Sequence, residues 1–224
     1  MTKKYILTIL ATAFCLISMA QDDLKLKLDS IATSGLEKGI PGIQVIISDS
    51  KGYTIYNYGH HEIEKTTEVN DSTRWRYGSI TKVFTAVMIL QLESEGKLSI
   101  DDSVTKYIDL KQHNAAGITI KHLLNHSSGL YNYTASKKLK WEDTPNLCLE
   151  NSLKRKLNFT PGSKYDYCNT GYVILGLIIE KITAQSYQQN ITERIFKPCG
   201  LESMIYCSDD KIPFNTARGY KIKH

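Results

Sequence analysis

The 224-residue chain has no internal repeat and no low-complexity tract, so repeat architectures are excluded. Excess charge is scarce as well. The formal net charge is +5, and two of the lysines, Lys3 and Lys4, sit at the extreme N-terminus. The remaining basic residues are dispersed, and Lys137-Lys138-Leu139-Lys140 reads as a solvated face, so no nucleic-acid partner is expected. No apolar run makes a comfortable membrane span, because Tyr5 to Met19 is too short and wrongly flanked, so no stable transmembrane anchor is expected. Metal-ligand spacing is missing too. His60-His61-Glu62 and the pair His122/His126 have no third ligand at suggestive spacing, and His122 is not followed by the glutamate of a zinc protease. His126 is assigned instead to the turn His126-Ser127-Ser128-Gly129. Neither a metal nor an organic cofactor is expected.

What is present begins with an export signal. Lys3 and Lys4, the apolar run and the small-residue end Ser18-Met19-Ala20 make residues 1–20 a secretory signal peptide. Phe14 is too bulky to precede a lipid-modified Cys15, so cleavage after Ala20 and a periplasmic or secreted product are expected. Residues 21–224 then form one domain, long enough to bury roughly 70% of its unfolded surface. Cys148, Cys168, Cys199 and Cys207 enter a compartment that permits disulfides, and three pairings are open. Cys199 and Cys207 are the nearest pair in sequence, with free thiols as the alternative; Cys168 is expected to stay free.

The first elements are an amphipathic helix over Leu24 to Leu36, with Leu24, Leu28, Ile31 and Leu36 on one side, and a break at Gly39-Ile40-Pro41-Gly42. A hairpin follows: strands Ile43 to Ser48 and Tyr53 to Tyr58, joined by Asp49-Ser50-Lys51-Gly52. A lone hairpin is marginal in water, so a wider sheet is expected. From Ser99 onward the chain reads as mainly helical, with helices over Asp102 to Tyr107, Ile120 to Leu124 and Thr144 to Asn158.

Two stretches carry chemistry. In the first, Gly78-Ser79-Ile80-Thr81-Lys82 runs into an apolar segment to Leu92 and ends at Gly96. This predicts a central, largely buried helix with a serine at its start. Residues i and i+3 share a helix face, so Lys82 can reach the Ser79 hydroxyl. A serine needs a neighbouring base or cation to become a nucleophile, and desolvation of a lysine disfavours its charged form. Peptide N–H groups at the helix start favour an oxyanion there. Ser-x-x-Lys also begins elsewhere, at Ser48, Ser94 and Ser103 among other places, but only Ser79 opens a long apolar helix. The competing reading makes Ser79 a cap and Lys82 a solvated first-turn charge.

The second stretch, Pro161 to Gly171, contains the single Tyr-x-Asn of the chain, Tyr167-Cys168-Asn169, and feeds the apolar run Tyr172 to Ile182. A tyrosine beside a lysine can have a depressed pKa and shuttle a proton, and an asparagine can hold a substrate amide. Alternatively Asn169 or Thr170 caps the helix while Tyr167 packs on it.

In this order the two stretches resemble the serine β-lactamase and penicillin-binding protein superfamily. Ser79-Ile80-Thr81-Lys82 is similar to its first motif, and Tyr167-Cys168-Asn169 to the second motif of the class C β-lactamase branch. Leu123 to Leu130 and Pro161 to Glu180 also resemble segments of that branch, and the likeness covers about residues 24 to 220. The resemblance implies an α+β (α/β sandwich) fold of the β-lactamase/transpeptidase kind, with a helical subdomain and an antiparallel sheet. It also implies an acyl-enzyme mechanism on an amide, β-lactam or ester carbonyl: Ser79 the nucleophile, Lys82 and Tyr167 jointly the proton carriers, Asn169 the substrate holder. The partner implied is a small molecule or a peptidoglycan-like peptide. A non-catalytic module that binds peptidoglycan peptides or a protein is the alternative. The departure is at the C-terminus, where the family's third box, Lys or His then any residue then Gly on a later strand, has no counterpart before Tyr220-Lys221-Ile222-Lys223-His224. The C-terminal strands are therefore expected to be missing from this chain.

Overall fold

The computed structural model describes residues 23–110, 115–136, 145–207 and 212–220. The signal peptide expected over residues 1–20, the solvated face expected at Lys137–Lys140 and the helix start expected at Thr144 lie outside them. The chain divides into two units, Met1–Arg76 with Ile212–His224, and Tyr77–Lys211. The described elements are helices and an antiparallel sheet, the α+β class.

In the first unit, helix α1 (residues 23–37) precedes strands β1 (Gly42–Asp49) and β2 (Gly52–Gly59). Gly39, at φ 90°, makes the break that the sequence predicts. The register pairs Gly42 with Gly59 and Asp49 with Gly52, leaving Ser50 and Lys51 as the turn. Helix α1 lies against this hairpin: the Tyr58 hydroxyl donates to Asp29 at 2.9 Å. Burial, with the Asp29 carboxylate, pushes the Tyr58 phenol up to about 12. The inner face of α1 runs through Leu28, Ala32 and Leu36 rather than through Leu24 and Ile31, which are exposed. An i, i+4, i+8 row follows one side of a helix more closely than the row expected from leucine and isoleucine alone. The segment 212–220 returns to this unit, where Arg74 and Thr216 form a parallel bridge and the Tyr220 hydroxyl accepts the Ile63 N–H at 2.9 Å. Among the described residues the sheet has two strands.

The second unit holds the main core. Helix α2 (Thr81–Ser94) supplies Met88, Ile89 and Leu92; α3 (Ile120–Leu124) supplies Ile120 and Leu123; α5 (Asn169–Thr183) supplies Ile174, Leu175, Ile178 and Ile179. Each such side chain contributes about 1.5–3 kcal/mol when fully buried. Helix α4 (Pro145–Leu153) and α6 (Tyr187–Ile191), which continues into a π-helical turn Thr192–Phe196, close the cluster with Leu149, Ile191, Ile195 and Phe196. Gly96, at φ 68°, ends α2 as expected. Among the described residues no helix is long and apolar enough to cross a membrane.

Four further expectations are corrected. Helix α2 is buried on one side only: Ile80, just before it, and Val83, Val87 and Leu90 form a second apolar stripe that stays largely exposed. The helix expected over Asp102 to Tyr107 is a single 3-10 turn, Val104–Lys106, because the Ser103 side chain caps it and Val104 N–H bonds to the Ile118 carbonyl. Helix α4 ends at Leu153, short of Asn158, whose N–H is drawn to the Gly129 carbonyl at 2.7 Å. None of Cys148, Cys168, Cys199 and Cys207 is in a disulfide, so the Cys199–Cys207 bridge does not form.

Candidate active site

Ser79 lies in a 3-10 turn, Gly78–Ile80, that leads into α2, and Gly78 at φ 51° takes the left-handed conformation that lets the chain enter the helix. One turn on, half-buried Lys82 projects from the same face. Its Nζ donates to Ser79 Oγ at 3.3 Å and to Asn169 Oδ1 at 2.7 Å. Tyr167 Oη donates to Ser79 Oγ at 2.9 Å. Lys82 and Tyr167 therefore meet at one serine oxygen, with Asn169 joined to them through Lys82, although Ser79 and Tyr167 are 88 positions apart. The reading of Lys82 as a purely solvated charge is overturned by these bonds.

The electrostatics follow from this geometry. The Lys82 ammonium, then the bond to Ser79, hold the Tyr167 phenol below its ordinary value, against a smaller opposing effect of burial. Lys82 Nζ also lies 5.0 Å from the Tyr167 ring centre and 5.4 Å from that of Tyr172. A groove of about 370 Å³ opens beside Lys82 and Asn169, lined further by Thr85, Tyr133, Tyr172 and Glu180.

The loop that carries Tyr167 is fastened to the turn 126–129. Asp166 N–H donates to the His126 carbonyl and Gly162 N–H to the Ser127 carbonyl, both at 2.8 Å. Gly129, at φ 73°, is required here, since a Cβ would stand 2.2 Å from the Phe159 carbonyl oxygen. Helix α5 begins at Asn169 with Cys168 as N-cap and no side-chain cap of its own, so neither Asn169 nor Thr170 plays that part. The missing acceptor comes from elsewhere: Asn132 Oδ1 accepts the Asn169 backbone N–H at 3.3 Å and its side-chain amide at 3.4 Å. Asn132 is the residue that sequence reasoning missed. Its local signal, an Asx cap on the turn Tyr133–Ala135, gives no hint of a partner 37 positions away.

His122 closes a capping box with Thr119, accepting the Thr119 N–H at Nδ1. His126 takes a left-handed backbone conformation in its turn, at φ 60°.

The beta-lactamase family pattern matches residues 26–224. Protein flp of Staphylococcus aureus (strain MW2) is 31% identical over 90% of this chain and 42% of its own length. Penicillin-binding protein 4* of Bacillus subtilis (strain 168) is 32% identical over 67% of this chain and 35% of its own. In fold, the D-amino acid amidase of Ochrobactrum anthropi SV3, solved with L-phenylalanine amide, superposes with a TM-score of 0.79 at 25% identity, covering 88% of this chain and 57% of that one. The chain spans less than half the length of these two curated relatives. The fold is that of the β-lactamase/transpeptidase proteins, and the chain belongs to the beta-lactamase family, within the β-lactamase-like serine hydrolase superfamily.

Proposed function

We propose that the protein is a serine hydrolase that works through an acyl-enzyme, with an amide as its favoured carbonyl substrate. The observation that carries this is the convergence of Tyr167 Oη and Lys82 Nζ on Ser79 Oγ at 2.9 and 3.3 Å. Ser79 Oγ attacks the carbonyl carbon, and its proton passes into the Lys82/Tyr167 pair. The same pair delivers a proton to the leaving amine as the C–N bond breaks. Water then attacks the ester and gives its proton to the pair, which passes it to Ser79 Oγ as the acyl–oxygen bond breaks and the acid leaves. The pair is assigned jointly, because both groups reach the same serine oxygen. Asn169, held by Lys82 and Asn132, orients the substrate amide. Amides are favoured over esters and β-lactams because the amidase relative acts on amino-acid amides by its name. Residues 1–20 are proposed to direct export to the periplasm or beyond, leaving 21–224 as the hydrolase domain. A non-catalytic module that binds peptidoglycan peptides or a protein is the second reading. The exposure of Ile80, Val83, Val87 and Leu90 beside the site favours it.

The test is the intact mass of the purified protein after exposure to a fluorophosphonate, beside S79A. One adduct that maps to Ser79 and is absent from the control supports the hydrolase. A folded protein that takes up no adduct passes the site to the binding reading.

A further inference from the structure

His126 makes two backbone bonds that bracket Tyr167. Its carbonyl accepts the Asp166 N–H at 2.8 Å, and its ring Nδ1 accepts the Cys168 N–H at 3.2 Å. The ring also packs on the tyrosine itself, with centroids 4.5 Å apart at 39°, and on Tyr172 at 5.2 Å and 37°. Tyr165 meets it edge-on at 6.0 Å. A nitrogen that accepts an N–H must offer its lone pair, so the neutral ring carries its proton on Nε2.

We propose that His126 is a positioning residue for Tyr167, fastening the Tyr167–Asn169 loop while its ring is neutral and releasing it when protonated. This rests on the acyl-enzyme reading of Ser79, Lys82 and Tyr167. Protonation at Nδ1 sets one N–H against another where the Cys168 bond stood. It also puts a second cation beside the tyrosine rings that Lys82 already faces. The groups around the ring are Lys82 on α2, Tyr172 on α5, and Tyr165, Asp166, Tyr167 and Cys168 on the loop. Among these one cation, Lys82, acts against a charged ring, and burial acts the same way and more strongly. Together they hold His126 below the usual histidine value. The sign follows: a depressed histidine leaves the fastened loop intact above about pH 6.5 and loosens it as pH falls through the folded-state value.

Asparagine is the informative substitution. It tolerates φ near 60° and places an oxygen acceptor where Nδ1 stands, but it does not titrate. Two readouts are taken on the wild type, H126N and H126A: amide nitrogen–proton NMR spectra from pH 8 to pH 4, and the rate of fluorophosphonate labelling of Ser79. In the wild type the Cys168 amide should titrate together with the His126 ring, and the labelling rate should step down over the same interval. H126N should keep near wild-type labelling at pH 7.5 and lose that step, whereas H126A should label about 10- to 100-fold more slowly. A Cys168 amide that ignores the His126 titration overturns the proposal, as does an unchanged pH step in H126N. The NMR arm decides even for a protein that takes no label, a result that refutes the hydrolase reading alone. Should H126A fail to fold, the wild type and H126N still decide.

Discussion

Thr170 shows how far the site depends on one buried hydroxyl. Its side chain is wholly enclosed in the first turn of α5. It donates to the Tyr131 carbonyl at 2.7 Å, accepts the Tyr133 N–H at 3.1 Å, and lies 3.0 Å from Ser152 Oγ, which itself reaches the Cys148 carbonyl at 3.1 Å. T170V keeps the shape and removes the hydroxyl, so little cavity forms, but Tyr131 O and Tyr133 N–H lose their partner. An orphaned buried polar group costs about 1–3 kcal/mol. Both tyrosines are half-buried, and the added methyl regains part of the loss, so about 2–3 kcal/mol is expected in total. For a chain of this size that lowers the melting temperature by about 4 to 12 °C. Residue 132 lies between the two freed groups, so Asn132 loosens and Asn169 loses its fixed cap. Thermal unfolding followed by circular dichroism, together with the Ser79 labelling rate, measures both effects, and T170S should restore both. A T170V protein that melts within about 1 °C of wild type would show that solvent or a shift of the loop satisfies these groups, and the reasoning fails.

Two further outcomes are expected. Y167F removes the hydroxyl that meets Ser79 and keeps the ring against His126; labelling should slow by about 10²- to 10⁴-fold. Its stability should stay within about 0.5 kcal/mol, since Tyr167 is partly exposed; labelling at the wild-type rate would remove Tyr167 from the proton path. Glu95, at the end of α2, is held at about 2 by Arg194 first and Lys97 second, against an ordinary value of 4.5. A depressed carboxyl contributes stability above pH 4.5 that is lost as pH falls toward 2. E95Q should therefore lower stability at neutral pH and flatten the acid limb of a urea-midpoint profile. Asp102, also held at about 2, by Tyr107 first, keeps part of that slope. Parallel acid limbs for E95Q and wild type would sink the assignment.

What the sequence made legible was local. Helix α2, the hairpin and α5 follow from apolar period, turn residues and terminal glycine, and each lies within a few residues of its expected bounds. The excess burial expected of α2 went wrong for a physical reason: an all-round apolar pattern states what a helix wants covered, not what covers it. Ile80, Val83, Val87 and Leu90 satisfy that pattern while remaining exposed. The four site residues were named through motif spacing and resemblance, because Ser79 and Lys82 are one helical turn apart and Tyr167 and Asn169 are near neighbours. The residues that hold them were out of reach for the opposite reason. Asn132 and His126 act across 37 and 42 positions, on backbone N–H groups that every residue possesses. A cap supplied from another loop leaves almost no mark on the helix it caps. Cys168 as N-cap is the one local trace: a poor capping residue at the start of a long buried helix requires an acceptor from elsewhere, and here Asn132 supplies it.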